Sequence, residues 1–312
     1  MKTFKGLPAV PAGFGPSAVT IGKFDGVHRG HRAVIDRIRS IAADDGLKAV
    51  VVTFDRNPLA LLAPDKCPDS LVSVRQKLEL LATTGVDATL LLPFDRALAS
   101  VPATEFVERV LVDTLHAKVV LVGRDFRFGA RGAGDVRLLT DLGTTFGFTV
   151  EVVDDVRPEG ERRVSSTWVR ELLAEGDVRH AAELLGHAPA VSGIVVHGAK
   201  RGRELGFPTA NLTPESEGLI PADGVYAGWL TDSGTRYPAA ISVGNNPTFE
   251  GVPTKQVEAY VLDRDLDLYD HLVDVEFVER LRGMVAFTSI PDLIETMRGD
   301  VDRARELLGA RA

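Results

Sequence analysis

One cysteine, Cys67, stands in a chain of 312 residues. A lone thiol closes no intrachain disulfide and builds no cysteine-based zinc site, and its solitude suits a reducing compartment. Long apolar runs are also missing. No segment approaches the ~18 residues of a membrane helix, and the opening MKTFKGLPAVPAGFGPS lacks the apolar core of a signal peptide. The expectation is a cytoplasmic protein with no membrane partner. Positive charge is in deficit, with 36 Lys and Arg against 44 Asp and Glu and a formal net charge of −8. That argues against nucleic acid or another polyanion as partner. A small anionic ligand is not excluded, because a local nest of amides and arginines can oppose the overall sign. What remains is ordinary globular material, 45% hydrophobic and 26% charged. It has ample core, and its length makes two domains the default. There is no internal repeat and no low-complexity segment.

The first half alternates short apolar runs with helical periodicity. SAVTIG (17–22), KAVVVTF (48–54), ATLLLPF (88–94) and AKVVLVG (117–123) read as strands. HRAVIDRIRSIAADDG (31–46) places Val34, Ile35, Ile38, Ile41 and Ala42 on one helical face, and 73–85 and 103–116 are the intervening helices. Unbroken apolar strands spaced by amphipathic helices imply a parallel sheet covered on both faces. Residues 166–186 read as helices that close this domain. Beyond HAPA the texture changes to short strands between Gly, Pro and Asp turns, which suggests an antiparallel sandwich or small barrel. One amphipathic helix ends the chain, with Leu293, Ile294, Met297, Val301, Ala304 and Leu308 as its stripe. The expected boundary lies near 187–191, dividing domains 1–186 and 187–312.

TIGKFDGVHRGH (20–31) is the most pointed stretch. It joins the first of these strands to a helix, at the edge where an open parallel sheet binds ligands. Gly22 and Gly26 let the backbone approach a phosphate, and the helix offers unpaired N–H groups and a positive dipole end. His28 and His31, at i and i+3, can face one anion. Zinc would want a third ligand, and none is evident. Taken alone, the string is equally a tight turn with a capping aspartate. VSSTWVR (164–170) offers Ser166, Thr167 and Arg170 at another helix start, as phosphate contacts or as an ordinary cap. VGRDFRFGARGAGD (122–135) carries Phe126 and Phe128, which could line an aromatic ligand or sit in the core.

HGAKRGRELGFPTANL (197–212) is the second unusual string, glycine-rich and cationic but without the G-K-[ST] of a Walker A loop. Thr209 and Asn211, two residues apart on an extended segment, present oxygen donors to one side and suit Mg²⁺ with ATP phosphates. On QVEAYVL, Val257, Ala259 and Val261 share the apolar face, so Glu258 and Tyr260 face the other way.

GKFDGVHRGH resembles the HxGH signature of nucleotidylyltransferases, and most closely the version in bacterial bifunctional riboflavin kinase/FMN adenylyltransferases. GFPTAN resembles the riboflavin kinase PTAN motif. The resemblance covers nearly the whole chain, in order. It implies an α/β plus all-β molecule: a Rossmann-like nucleotidyltransferase domain with a parallel sheet, then an antiparallel riboflavin kinase-like β-barrel with a terminal helix. It also implies riboflavin, FMN and ATP as substrates, FAD as product and Mg²⁺ as cofactor; the expected assembly is a monomer or weak homo-oligomer.

By the same resemblance, His28 and His31 bind ATP phosphates and stabilise the transition state. Gly22, Phe24, Asp25, Gly26, Ser166, Thr167 and Arg170 belong to that nucleotide site. Gly202, Arg203, Gly206, Phe207 and Pro208 belong to the kinase nucleotide site, and Thr209 and Asn211 hold magnesium. Glu258 falls at the catalytic glutamate of riboflavin kinases. Phe54, Asn57, Asp125, Phe126, Phe128 and Arg282 are expected to contact flavin. TFDRNP (53–58) departs from the family's TFDPHP at Arg56 and Asn57, and Met284 and Ala286 depart from LRxExKF. The rivals are a nucleotidyltransferase with an inactive second domain and a non-catalytic flavin sensor. The intact Thr209, Asn211 and Glu258 set speaks against the first, and His28, His31 and Arg170 against the second.

Overall fold

Strands with unbroken apolar sequence are buried on both faces, as sequence and physics require: every residue of β2 (Ser17–Ile21) and of β4 (Ala88–Leu92) is buried. The computed structural model describes residues 1–154, 162–198, 206–244 and 255–309, and the chain divides into two units, Met1–Val164 and Ser165–Ala312. In the first unit, β1 (Lys2–Lys5) and β3 (Lys48–Phe54) join β2 and β4, with β5 (Ala117–Gly123) and β6 (Thr149–Val153) beyond. All six pair in parallel in the order β1-β4-β3-β2-β5-β6. The two edge strands, β1 and β6, were not anticipated. β1 is exposed except at Phe4, and β6, whose valines are interrupted by Glu151, has no fully buried residue.

Helix α1 (Arg29–Asp45) buries Ile35, Ile38, Ile41 and Ala42, four of the five positions expected on its inner face. The short α2 (Pro58–Leu62) and α3 (Val74–Ala82) follow β3, and α3 is opened by a Ser73/Gln76 capping box. After β4 come α4 (Arg96–Ala99) and α5 (Ala103–Phe106). The helix expected over 103–116 is α-helical only in α5. Wider π turns over Val107–Thr114 carry Val107, Val110 and Leu111 into the core. Helix α6 (Val136–Phe146) links β5 to β6.

The second unit opens with α7 (Ser166–Glu175) and α8 (Val178–Leu185). Then β7 (Ala190–Val196), β8 (Ala210–Leu212), β9 (Gly224–Asp232), β10 (Thr235–Gly244), β11 (Gln256–Val261) and β12 (Leu272–Arg282) close a barrel in the order β10-β11-β8-β7-β12-β9. Of the two architectures the sequence allowed, the barrel is the one formed. Ser233 and Gly234, both at positive φ, make the two-residue turn between β9 and β10 that matches strand twist. Inside, Tyr226 and Phe277 are fully buried and meet edge to face at 5.3 Å. The Ala222 N–H donates to Leu173 O, and Arg280 donates to Glu175 O, so α7 is tied to barrel residues of its own unit. The compact units thus part at 164/165, ahead of the helices that the sequence grouped with the first domain. Helix α9 (Ile290–Leu308) lays Val301, Ala304 and Leu308 of its expected stripe against Ala227, Ala240 and Leu262.

Candidate active sites

In the sheet order the chain steps from β2 outward to β3 and β4 and then crosses back to β5 on the other side of β2, so the order reverses between β2 and β5. The crevice outside the carboxyl ends of such strands is where open α/β sheets bind ligands. The turn from β2 into α1 lies there. Phe24, Gly26 and Val27 take φ of 50°, 81° and 42°, so two residues with side chains are held in the left-handed region. Such strain persists only when the surroundings over-determine it. Here Phe24 and Val27 are anchored in a cluster with Ile35, Val51, Leu81 and Val86. The carboxylate of Asp25 accepts from the Leu71 N–H at 2.9 Å. Gly22 extends the strand ladder by donating to Val52 O.

His28 caps α1, its Nδ1 accepting from the His31 N–H at 3.3 Å. Because Nδ1 accepts, the proton sits on Nε2, which remains a donor. His28 is 6% exposed, more enclosed than its loop position suggested. The two imidazoles stack nearly parallel, with centroids 3.6 Å apart. The Nδ1 of His31 is buried and has no hydrogen-bond partner among the described residues. An orphaned ring nitrogen at a strand's carboxyl edge suits a ligand acceptor. Burial, seconded by the Arg163 charge, pushes the His28 pKa down to about 4. His31 lies well below its ordinary value through burial, then His28, Arg163 and Lys77. Both rings are therefore neutral hydrogen-bond donors at physiological pH.

Sequence reasoning missed two of these cations. Arg163 precedes the VSST string and reaches Asp125 at 3.2 Å. Lys77, on α3, is buried. The expected flavin residues differ in freedom. Phe54 is half-buried, edge-on to Phe94 at 5.5 Å. Asn57 accepts from the Leu59 N–H at 3.1 Å and so caps α2. Phe128 is buried in the core beside Phe106, while Phe126 stacks on it at 5.5 Å and stays partly exposed. In the second unit, Ser165 is the N-cap of α7, accepting from the Trp168 N–H at 3.2 Å. Ser166 and Thr167 occupy the first helical turn and Arg170 the second.

The second constellation is set by sheet register. Val257, Ala259 and Val261 are buried as expected, and Glu258 pairs across the ladder with Asn211 of β8. Asn211 Nδ2 donates to the carbonyl and to Oγ1 of Thr209, at 3.1 and 3.2 Å. Thr209 Oγ1 in turn donates to Glu258 Oε2 at 3.4 Å. Burial raises the Glu258 pKa above its ordinary value, and the Thr209 hydrogen bond only partly opposes it. Phe207 is buried edge-on to Tyr260 at 5.4 Å, Pro208 is half-buried, and Gly206 is exposed at φ 88°. Gly202 and Arg203 lie outside the described residues. Arg282 is engaged by Asp300 of α9, both nitrogens of its fork contacting the carboxylate at 2.8 to 3.1 Å. Among the described residues no group of three His, Cys, Asp or Glu could hold a metal alone.

The two units thus pair a phosphate-type edge on a parallel sheet with an oxygen-rich, carboxylate-bearing barrel, the combination of a two-domain nucleotide-handling protein. Residues 12–168 match the family model described as FAD synthetase, and residues 185–308 that of riboflavin kinase. The chain is 40% identical over 292 residues to the bifunctional riboflavin kinase/FMN adenylyltransferase of Escherichia coli (strain K12), covering 93% of this chain and 92% of that protein. The protein of the same description from Pseudomonas fluorescens is 39% identical over 293 residues, 94% and 93% of the two chains. A crystal structure from Streptococcus pneumoniae, described as a macrolide-efflux protein, is similar at a TM-score of 0.86 with 30% identity, covering 98% of this chain and 99% of that one. No helix among the described residues is long and apolar enough to cross a membrane. This chain belongs to the bifunctional riboflavin kinase/FMN adenylyltransferase family.

Proposed function

We propose that this chain makes FAD in two steps, phosphorylating riboflavin with ATP in the barrel and joining FMN to the AMP moiety of a second ATP at the β2–α1 turn. The single observation that carries the reading is the pairing, in one chain, of neutral stacked imidazoles at a helix start with a desolvated carboxylate beside Thr209 and Asn211. Functionally, we divide the chain at 186/187, which keeps the VSSTWVR string with the adenylyltransferase.

In adenylyl transfer the attacking FMN phosphate oxygen is already anionic, so no general base is needed. The protein must orient two anions and stabilise charge growing on the α-phosphate and the departing pyrophosphate. His28 Nε2–H, the orphaned His31 nitrogen and the first amides of α1 are donors of that kind. Ser166, Thr167 and Arg170, at the start of α7, are themselves donors suited to phosphate. Phe54 and Phe126 are the partly exposed rings against which a flavin could lie.

In the kinase step the acceptor is a neutral alcohol whose proton must leave. Glu258, its pKa raised by burial, suits the general base. With Asn211 Nδ2 directed to Thr209, the amide oxygen is left for a hard cation, and the all-oxygen set with Thr209 Oγ1 fits Mg²⁺ carried with ATP. Magnesium there would offset the charge of the transferring phosphoryl group. Arg282 would need to leave Asp300 to reach a flavin.

The test is incubation with riboflavin, ATP and Mg²⁺, followed by separation of the flavins. FMN and then FAD are expected. No FMN from riboflavin would leave an adenylyltransferase alone, and unchanged riboflavin in a stable complex would mark a sensor.

A further inference from the structure

Lys77 is 8% exposed, and its ammonium is not part of the chemistry above. It sits on α3, on the helix face turned toward the sheet. Burying an ammonium is costly, and such groups are kept only where something compensates. Here burial lowers the Lys77 pKa, and the nearby carboxylates of Asp25 and Asp55 oppose that without pairing directly with it. Among the described residues Lys77 makes no ion pair. Its Nζ donates instead to two main-chain carbonyls, Phe54 O at 2.7 Å and Lys23 O at 3.4 Å.

Those carbonyls lie on two different strands' exits. Lys23 follows β2 and begins the turn to His28, while Phe54 ends β3 and begins the TFDRNP loop. β2 and β3 are paired through Ile21↔Val52, with one further bond from the Gly22 N–H to Val52 O. Past that point the strands part and the ladder can no longer satisfy both chains' oxygens, which must find other donors. Thr53 Oγ1 takes one side of Lys23 O at 3.1 Å. Lys77 bridges the two exits.

The bridge has an electrostatic consequence. The carboxyl edge of a parallel sheet presents carbonyl oxygens, which repel the anion that a phosphate site must hold. An ammonium spanning two of them offsets that repulsion and adds a positive charge that also acts on His31. A neutral donor could satisfy the oxygens without supplying the charge.

We propose that Lys77 is a positioning residue for adenylyl transfer, splicing the nucleotide turn to the flavin loop and giving the phosphate edge its buried positive charge. This rests on the two-site reading above, and the barrel reaction in the same chain serves as its control. In the full-length protein, Lys77→Met keeps the apolar stem and removes donors and charge, while Lys77→Arg keeps both. The expected result for Lys77→Met is a fall in kcat/KM for FMN adenylylation on the order of a hundredfold, the scale at which small misplacements of reacting groups act. KM should rise for ATP and for FMN together, since both loops lose their anchor. Riboflavin phosphorylation should stay within about twofold of the parent, the scatter of an unrelated change. Lys77→Arg should recover about tenfold of the loss, as retained charge predicts.

Adenylylation by Lys77→Met within about threefold of the parent would overturn the role, as would equal impairment in Met and Arg variants, since packing alone would then account for the effect. Should Lys77→Met fail to fold, Thr53→Val decides. It removes the other donor to Lys23 O at constant volume, so a raised KM for ATP with unchanged KM for FMN supports the splice, and an unchanged KM for ATP overturns it. A parent that makes no FAD from FMN would sink the functional reading itself, a result separable from all of these.

Discussion

Burial does opposite work at the two sites. At the β2–α1 turn it acts on imidazoles, whose charged form is the protonated one, and so lowers their pKa and keeps them neutral. On β11 it acts on a carboxylate, whose charged form is the deprotonated one, and so raises the Glu258 pKa. The first result is a pair of neutral imidazoles, which in the proposed reading serve as hydrogen-bond donors. The second is a carboxylate with more proton affinity than an exposed glutamate, which in the proposed reading serves as the base. On that reading, one physical effect thus serves both an acceptor that arrives ionised and one that does not.

That contrast breaks most visibly at Glu258. Glu258→Gln keeps shape and hydrogen bonding but cannot accept a proton. FMN formation should fall by about 10³-fold, within the range of a positioned base, while conversion of supplied FMN to FAD continues. In the parent, the rate of FMN formation should drop with falling pH through a pKa above the ordinary carboxylate value, and the variant should lose that limb. The reciprocal change, His28→Ala with His31→Ala, should lower FAD formation by about 10²- to 10³-fold, as loss of oxyanion donors does, and spare FMN formation. Chromatography of the flavin products reads both. If either change stops both reactions in a folded protein, the two-site division is wrong.

A pH experiment sharpens the electrostatic half of the comparison. The folded His28 pKa, about 4, lies below its ordinary 6.5. Between these values the unfolded chain binds the proton and the folded chain does not, so stability is full above about 6.5 and falls as pH drops toward 4. At about 1.4 kcal/mol per unit, the loss is on the order of 3 kcal/mol. His28→Asn retains an N-cap without the titrating group. Its unfolding free energy, from denaturant curves at several pH values, should fall less steeply than the parent's across that window. Equal slopes would mean the imidazole is not desolvated.

Much of this was legible from residues, and the illegible part has identifiable causes. β2 to β5 announced themselves by unbroken apolar runs, and β11 by strict alternation, which also fixed the side of Glu258. β1 and the three-residue β8 carry too little apolar sequence to signal a strand, and the valines of β6 are interrupted by Glu151 and incompletely buried. The HxGH turn was recognisable, but its strain was not, because positive φ at Phe24 and Val27 is imposed by the cluster around them. Lys77 was invisible for the reason that lysine on an amphipathic helix is normally solvated. Asn57 and Arg282 show the converse. Their types suited ligand contact, yet a local amide and Asp300 already hold them.

The smallest expected effect tests how tightly the kinase site is built. Gly198 lies at the end of β7 beside Asn211, and a Cβ placed on it would stand 2.5 Å from both Cγ and Oδ1 of that amide. No real contact is that short, so Gly198→Ala must turn Asn211 away from Thr209. Thr209 Oγ1 would then lose a donor, and the oxygen pair offered to magnesium would be misaligned. Metal-site supports of this sort are worth about 10- to 100-fold. FMN formation should accordingly need roughly tenfold more Mg²⁺ for half-maximal rate, with the maximal rate at saturating Mg²⁺ nearly kept and FAD formation from FMN unaffected. An unchanged Mg²⁺ requirement would mean that Asn211 does not touch the cation and that its carboxamide only orients Thr209.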